Sequence, residues 1–497
     1  MDANPFIDPS AFPSNVMPRD PEPASRSTDA ALLLSHEAEV ARVARQIRER
    51  VTDGRPVRIA KGGVSHFVPL PGDPRGLAAP IDISVLNRIL DIDVAARRCT
   101  AEPGVTFADL LKETLKVGLM PMVVPELEGI TVGGAVAGCS VESASYRYGG
   151  FHDSCLEYEI VSGEGEVVTC SRTREPLLFE MIHGSYGTLG ALTKLSFLLV
   201  PAEPFVRMEY RRLRTFEAFN EELRERCRQG DYDFVDGIIH GPDNFVVCLG
   251  QKVSSAPYVS NYRWLNVYYE STSSRTEDYL TTFDYCFRYD TECHWLTKRV
   301  PLMTWKPARF LVGKQVLGST NLIRWSKRVE PLLGLRKRPD VVCDVFIPAR
   351  RFQDFYTWYE RTFNFFPLWI VPYRMSKPYG WISDAHGAKM ADELFFDCAI
   401  YGKPNEEPGI DYSELLERMT YELDGVKTLI SRNHYSREQF WEIYDKPRYD
   451  AAKGRLDPRG VFGDLYEKCH RMKAPRAGDE TAREPGDKGP RAVPHPA

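Results

Sequence analysis

The sequence predicts an α+β protein of more than one domain, and three observations carry that expectation. A chain of 497 residues is too long for a single hydrophobic core, and 43% apolar with 27% charged residues suits a globular protein. Amphipathic helical segments alternate with short runs of β-branched and apolar residues, so neither element type dominates. Between Glu126 and Asp153 the chain reads ELEGITVGGAVAGCSVESASYRYGGFHD, a stretch of small and hydroxyl side chains that breaks both patterns.

The first element is a helix beginning near Ser35. SHEAEVARVARQIRERV offers a serine N-cap, Glu37 and Glu39 in the first turn, and Val40, Val43, Ile47 and Val51 on one face, with Gly54 as the stop. A strand from Val57 to Ala60 runs into KGGVSHFVPLPG, a glycine-led turn. After a strand at Ile81 to Ile83, RCTAEPGVTFADLLKETLKVGLMPMVV reads as a strand ending at Gly104 and a helix capped by Thr106. That helix turns Phe107, Leu110, Leu111 and Leu115 inward and ends at Gly118.

The glycine-rich stretch follows. Gly129, Gly133, Gly134 and Gly138 leave backbone N–H groups uncovered by any Cβ, which lets a pyrophosphate approach closely, and Gly133 and Gly134 are the strongest candidates. Thr131, Ser140, Ser143 and Ser145 add hydroxyl donors, while Val132, Val136 and Val141 would bury the ends of the segment. A dinucleotide fits this composition; a packed glycine turn without a ligand fits it equally well.

Two strands, Tyr158 to Ser162 and Val167 to Cys170, form a hairpin about a GEG turn. In HGSYGTLGALTKLSFLLVP, Gly184, Gly187 and Gly190 precede a strand ending at Pro201, making a third glycine loop. Beyond it come a helix around Phe216 to Cys227, two strands about a GPDN turn in FVDGIIHGPDNFVVCLG, and an aromatic-rich stretch from Tyr262 to Trp305. A strand, helix and strand follow in VVCDVFIPARRFQDFYTWYERTFNFFPLWIVPYR, with a further strand in ELFFDCAIYGKP.

Composition also excludes. A net charge of −5 without a Lys/Arg run gives no electrostatic footprint for nucleic acid. Eleven cysteines without a CxxC pair fit scattered buried thiols and argue against a disulfide framework or a metal site. The N-terminus has no signal-peptide pattern, and the apolar stretch from Phe363 to Tyr373 is too short to cross a bilayer, so the expected location is cytoplasmic. Residues 1–28 and 474–497 have almost nothing to bury and are expected to be disordered tails.

The KGGVSHF, AEPGVTFADLL, TVGGAVAG and HGSYGTLG segments together resemble the FAD-binding (PCMH-type) domain of the p-cresol methylhydroxylase and vanillyl-alcohol oxidase superfamily, over about Val57 to Pro201. TVGGAVAGCSVESASYRYGGFHD, PLWIVPY, ELFFDCAIYGKP and SREQFWEIYDKPRY resemble the sterol side-chain (delta-24) reductases. Those reductases generally carry histidine at the position of Tyr146, lysine at that of Arg147, and a hydrophobic N-terminal segment.

The resemblance implies an FAD-binding domain of two α+β subdomains at 29–203, an α+β substrate or cap domain at 204–430, and a C-terminal segment at 431–473 returning to the first domain. It assigns Gly62, Gly63 and Ser65 to a first cofactor loop. Thr131, Val132, Gly133, Gly134, Ala135, Val136, Ala137, Gly138, Cys139, Ser140, Val141, Glu142 and Ser143 form the second, and Gly187, Thr188 and Leu189 a third. Val64 stands where covalent relatives place histidine and Gly129 where some place cysteine, so noncovalent FAD is expected. Lys453, in a Lys-x-x-x-Asp-Pro ending, is expected to approach the FAD domain.

The implied activity is reduction of a carbon–carbon double bond in a small apolar sterol-like or isoprenoid substrate, with NADPH visiting the flavin as hydride donor. Its proton would come from His152, Tyr148 or Glu142 beside the cradle, or from His434, Tyr435 or Arg432; the first choices are His152, Tyr148 and His434. Trp264, Tyr268, Trp295, Trp369 and Tyr373 are candidates for an apolar wall, Trp369 first. The alternatives are an FAD-dependent oxidase or dehydrogenase of an alcohol such as an aldonolactone or sugar, and a lipid-binding protein with an inactive flavin site. Peripheral membrane contact and oligomeric state stay open.

Overall fold

A computed structural model of the protein describes residues 30–53, 57–62, 78–263, 266–295, 307, 309–310, 317–321, 340–431 and 433–470. Both tails, Gly63, Val64, Ser65, His66, Trp264 and Arg432 lie outside the described residues.

Three sheets organise the α+β architecture. β1 (Val57–Ala60) and β2 (Ala79–Asp82) pair in parallel. β3 (Ile89–Asp93), β4 (Arg98–Ala101), β5 (Leu119–Pro121), β6 (Cys155–Val161), β7 (Val167–Ser171) and β8 (Ala191–Pro201) form an antiparallel sheet in the order β3-β4-β8-β6-β7, with β5 also on β8. β8 is central because it alternates fully: Ala191, Thr193, Leu195, Phe197 and Leu199 are buried, and the residues between them are half-buried.

Three residues past β8 the chain enters an eight-stranded antiparallel sheet. Its strands are β9 (Phe205–Leu213), β10 (Phe234–Gly241), β11 (Asn244–Val253), β12 (Glu277–Thr281), β13 (Val341–Pro348), β14 (Leu368–Tyr373), β15 (Phe395–Lys403) and β16 (Val426–Lys427). They run in the order β12-β9-β11-β10-β14-β15-β13-β16. The registers place Phe234, Asp236, Ile238, Trp369, Val371, Tyr373, Phe395, Asp397, Ala399, Asp344 and Phe346 on one face. The apolar members of that face share one core with the six-stranded sheet, whereas Leu368, Ile370, Phe396 and Cys398 on the other face pack with Phe216, Phe219 and Leu223.

Local chemistry explains most of the helices. α1 spans Ala30–Asp53 and buries Val40, Val43 and Ile47. It starts five residues before the expected Ser35 cap, because ALLL upstream continues the helix, and the Ser35 hydroxyl instead accepts from Arg88 Nη1 at 2.5 Å. α2 (Phe107–Leu115) begins after Thr106, whose hydroxyl accepts the Asp109 N–H. α3 (Val132–Gly138) is a correction, since the stretch expected to be an open loop is a short helix capped by Thr131. The helix Pro176–Ile182 was not expected from the pattern, although proline at its first position signals a start.

The chain then returns. The helix Lys446–Leu456 packs on Pro176–Ile182, Gly163 N–H donates to the Leu456 carbonyl at 2.6 Å, and Val57 N–H donates to that of Val461 at 3.2 Å. Lys453 does reach the first half of the chain: its ammonium donates to the Thr188 carbonyl at 2.5 Å and pairs with Asp457 at 2.7 Å. Among the described residues, no helix is long and apolar enough to cross a membrane.

Candidate active site at the seam of the two large sheets

The site starts at the head of α3. Lys61, the residue after β1, places its ammonium 3.4 Å from the Thr131 hydroxyl that caps α3, and that is its only polar contact among the described residues. Burial, with no counter-anion among the described residues, lowers its pKa to about 8. A cation held beside a helix start is chemically fit for a pyrophosphate, and a Cβ on Gly134 would stand 3.1 Å from Thr131 Oγ1 and 3.3 Å from Lys61 Nζ, in that same space. The residues present therefore fit the diphosphate of FAD.

The glycine pair divides in function. Gly133 N–H already donates to the Pro103 carbonyl at 3.0 Å, Val132 N–H donates to that of Val105 at 2.9 Å, and a Cβ on Gly133 would lie 2.5 Å from Pro103 Cβ. Gly133 and Val132 thus close α3 onto the preceding turn rather than offering donors to a ligand. Ala135 and Val136 are buried in the core, and Ala137 lends its carbonyl to Tyr186 N–H at 3.1 Å.

From the C-terminus of α3 a cavity opens between the loops beside that helix and the eight-stranded sheet. Gly138, Cys139, Val141, His152, Gly184 and Tyr186 form one wall, and Phe346, Tyr373, Phe395 and Val426 of the eight-stranded sheet face them, with Thr428 just past β16. Met375, Tyr379, Trp381, Ile382, Met390 and Tyr444 close the side. The wall is almost entirely apolar, and its Lys427 is ion-paired with Glu417.

His152 is 1% exposed, and neither ring nitrogen has a hydrogen-bond partner among the described residues. Asp153 Oδ2 lies 3.6 Å from its Nε2, yet burial outweighs that charge and lowers the histidine pKa, so the ring is neutral at ordinary pH. Asp153 is the anchor of a hydroxyl chain. It accepts Gly150 N–H at 2.8 Å, Ser376 Oγ at 2.7 Å and Tyr379 Oη at 2.5 Å, and the Tyr379 and Tyr373 hydroxyls are hydrogen-bonded to each other. Burial, reinforced by Asp153, holds both phenols protonated well above their ordinary range.

Other expected site residues lie elsewhere. His434 does not line the cavity: its Nε2 is 3.2 Å from Ser413 Oγ and its N–H donates to the Glu417 carboxylate at 2.8 Å, because the chain entering the Ser436-capped helix turns toward 412–422. Tyr435 donates to the Glu417 carbonyl at 3.2 Å, and Tyr148 is half-buried against the core. Thr188 and Leu189 are fully buried, and the Thr188 hydroxyl is spent on the Ser185 carbonyl and Tyr449, which leaves Gly187 as the open residue of that loop. The Trp369 indole donates to Asp236 at 2.7 Å outside the cavity, while Tyr268 packs on Arg288 and Trp295 bonds the Tyr401 carbonyl.

Glu142 and Ser143 belong to a junction that sequence reasoning missed. Arg288, fully buried, pairs with Glu142 at 2.8 Å and Asp236 at 3.4 Å, with the rings of Tyr285 and Tyr289 4.3 and 4.8 Å from its guanidinium carbon. Burial raises the Glu142 pKa to about 7 against the pull of Arg288. Lys61, Asp153, Tyr379, Trp381 and Arg288 carried no local signal, since each sits in ordinary sequence and gains its place only through chain crossings. Asp411, Glu414 and His434 form a partly exposed group whose ligand atoms lie within 4.8 Å of one another.

Residues 28–171 match the FAD binding domain family, and with the relatives below this makes the protein an FAD-dependent oxidoreductase. The chain is similar to the Delta(24)-sterol reductase of Homo sapiens, 26% identical over 451 residues that cover 87% of this chain and 86% of that protein. It is also similar to the Delta(24)-sterol reductase homolog of Caenorhabditis elegans, 24% identical with 88% of each chain covered. Cytokinin dehydrogenase 6 of Oryza sativa matches at 27% identity over 65% of this chain and 63% of that protein.

Proposed function

We propose that the protein reduces a carbon–carbon double bond in an apolar sterol-like or isoprenoid substrate, using noncovalent FAD with NADPH as hydride source, in the cytoplasm. The observation that carries this reading is the apolar cavity between Cys139, Tyr186 and the sheet residues Phe346, Tyr373 and Phe395. An isolated alkene has no carbonyl to polarise, so its reduction needs a dry site that does not trap a developing cation with water. Lys61, Thr131 and Gly134 would hold the FAD diphosphate, and Gly138, Cys139, Val141 and Tyr186 would pack its ring system. When bound, FAD supplies hydride transfer. Neutral His152 offers an N–H to a ligand without bringing charge into the cavity. The names of the similar sterol reductases support the same substrate class.

One observation favours the alcohol-dehydrogenase alternative. The hydroxyls of Tyr373 and Tyr379 are directed toward Asp153, which leaves lone pairs for a substrate hydroxyl. Anaerobic stopped-flow of the purified protein separates these readings. Fast bleaching of the flavin band by NADPH, followed by reoxidation with a Δ24-sterol, supports the reductase. Bleaching only by alcohols with rapid reoxidation by O2 overturns it, and a colourless protein that binds lipid supports the third class.

A further inference from the structure

Next to the apolar cavity lies a second, smaller one, whose lining includes Met181, His183, Ser185, Trp441 and Asp445. Gly184, Trp381 and Tyr444 line both. Gly184 adds no side chain, and at φ +66° it sits where a Cβ would lie 3.7 Å from Cys139 Sγ and 3.8 Å from Trp381 Cδ2. A slot therefore runs between the thiol and the indole, and Trp381 supplies the bulk beside it.

Trp381 is held from several directions. Residues 374–383 connect β14 to the helix Asp384–Met390 and lay Met375, Tyr379, Trp381 and Ile382 along the apolar cavity. The Trp381 carbonyl accepts Asp445 N–H at 3.0 Å, Ser383 N–H donates to the Ile443 carbonyl at 2.9 Å, and Ile382 bridges to Tyr444. The indole stacks with the ring of Tyr379 at 5.5 Å between centroids and with that of Tyr444 at 6.3 Å. Its Nε1 has no hydrogen-bond partner among the described residues, so trimming the side chain strands no polar group among them.

The two cavities differ in chemistry. The first is walled almost entirely by apolar groups, whereas His183, Ser185 and Asp445 give the second a polar lining. An apolar chain gains affinity with each methylene it buries among apolar walls, and it stops gaining at a fixed side chain, because a packed interior yields little. With the flavin ring on the wall of Gly138, Cys139 and Tyr186, the substrate is left the side closed by Met375, Tyr379 and Met390. Trp381 stands where that side gives way to the second cavity.

We propose that Trp381 is the end stop of the substrate cavity and sets the length of the apolar chain the protein accepts, an inference that rests on the reductase reading above. The far end of an accepted chain abuts the indole. Removing the indole joins the two cavities and admits a longer chain.

The test uses flavin-loaded wild type, Trp381→Ala and Trp381→Phe, with a series of isoprenoid alkenes each one isoprene unit longer than the last. Binding is read by displacement of a fluorescent lipid, and turnover is followed separately with NADPH. In wild type the affinity should rise along the series and then break. In Trp381→Ala the break should move to a longer member, which binds roughly tenfold tighter than to wild type, the gain from burying about two further methylenes. Trp381→Phe, which keeps a ring in the slot, should hold the break where wild type has it. A break that stays in place in Trp381→Ala overturns the proposal, and so does a wild type that binds no member of the series. A break that moves as expected while no member is turned over with NADPH upholds the end stop and overturns the reductase reading. If Trp381→Ala fails to fold, an alkene brominated at its far end decides: it should quench tryptophan emission more in wild type than in Trp381→Phe, and equal quenching overturns the proposal.

Discussion

The Lys61 ammonium and the Thr131 hydroxyl meet at 3.4 Å, tying the end of β1 to the head of α3. Charge-assisted hydrogen bonds contribute about 1.5–3 kcal/mol, so Lys61→Met should weaken FAD binding by roughly ten- to a hundredfold while leaving the fold intact. Isothermal titration of flavin-free protein checks this. An unchanged affinity would place the diphosphate elsewhere.

The same lysine sets a pH dependence. Its pKa is lowered to about 8 in the flavin-free fold, below its unfolded value, so the unfolded chain binds the extra proton in the alkaline window above pH 8. Stability of the flavin-free protein should therefore rise across that window. A bound anion favours the ammonium, so FAD affinity should fall over the same range, as flavin fluorescence titrations at several pH values would register.

The two adjacent glycines should separate under mutation. Gly133→Ala forces a Cβ to 2.5 Å from Pro103 and should cost about 1–3 kcal/mol of stability, whereas Gly134→Val should fold and lose its flavin. Thermal melts with visible spectra distinguish the two, and a fully yellow Gly134→Val protein would refute the placement of the cradle.

Removing Arg288 strands Glu142 and Asp236 in the interior. Arg288→Met should destabilise the protein by about 3–5 kcal/mol, and Glu142→Gln in the same chain should restore part of the loss. Urea unfolding of the single and double variants measures the coupling. Additive losses would show that the pair does not act as a unit.

FAD should leave with acid. Gly129 provides no thiol at one attachment position of covalent relatives and Val64 no imidazole at the other, so acid precipitation should move all flavin to the supernatant. A fluorescent polypeptide band on a denaturing gel would contradict this.

What was legible beforehand follows from the range of the interactions. The Thr106 cap and the GEG hairpin depend on residues within a few positions of one another, and they stand as read. Gly133 and Gly134 look alike in sequence, and only the crossing of Pro103 behind α3 separates a glycine packed on backbone from one that faces Lys61. His434 reads in sequence as a candidate proton donor, but its backbone N–H is held by Glu417, 17 residues away. Asp397 sits in ELFFDCAIYG, where an acid inside an apolar strand gives no clue to its partners until β13 and β14 are laid beside it.

The return of the C-terminal segment bears on how the protein is made. Leu456, Val461 and Lys453 supply partners to Gly163, Val57 and Thr188, so the half of the molecule that is synthesised first is finished by residues made about 270–400 positions later. A nascent chain that ends before these struts lacks them, and flavin loading should wait until they have emerged from the ribosome. Nascent chains stalled before Lys446 should accordingly stay colourless in excess FAD, and a yellow stalled chain would show that the early half closes without them.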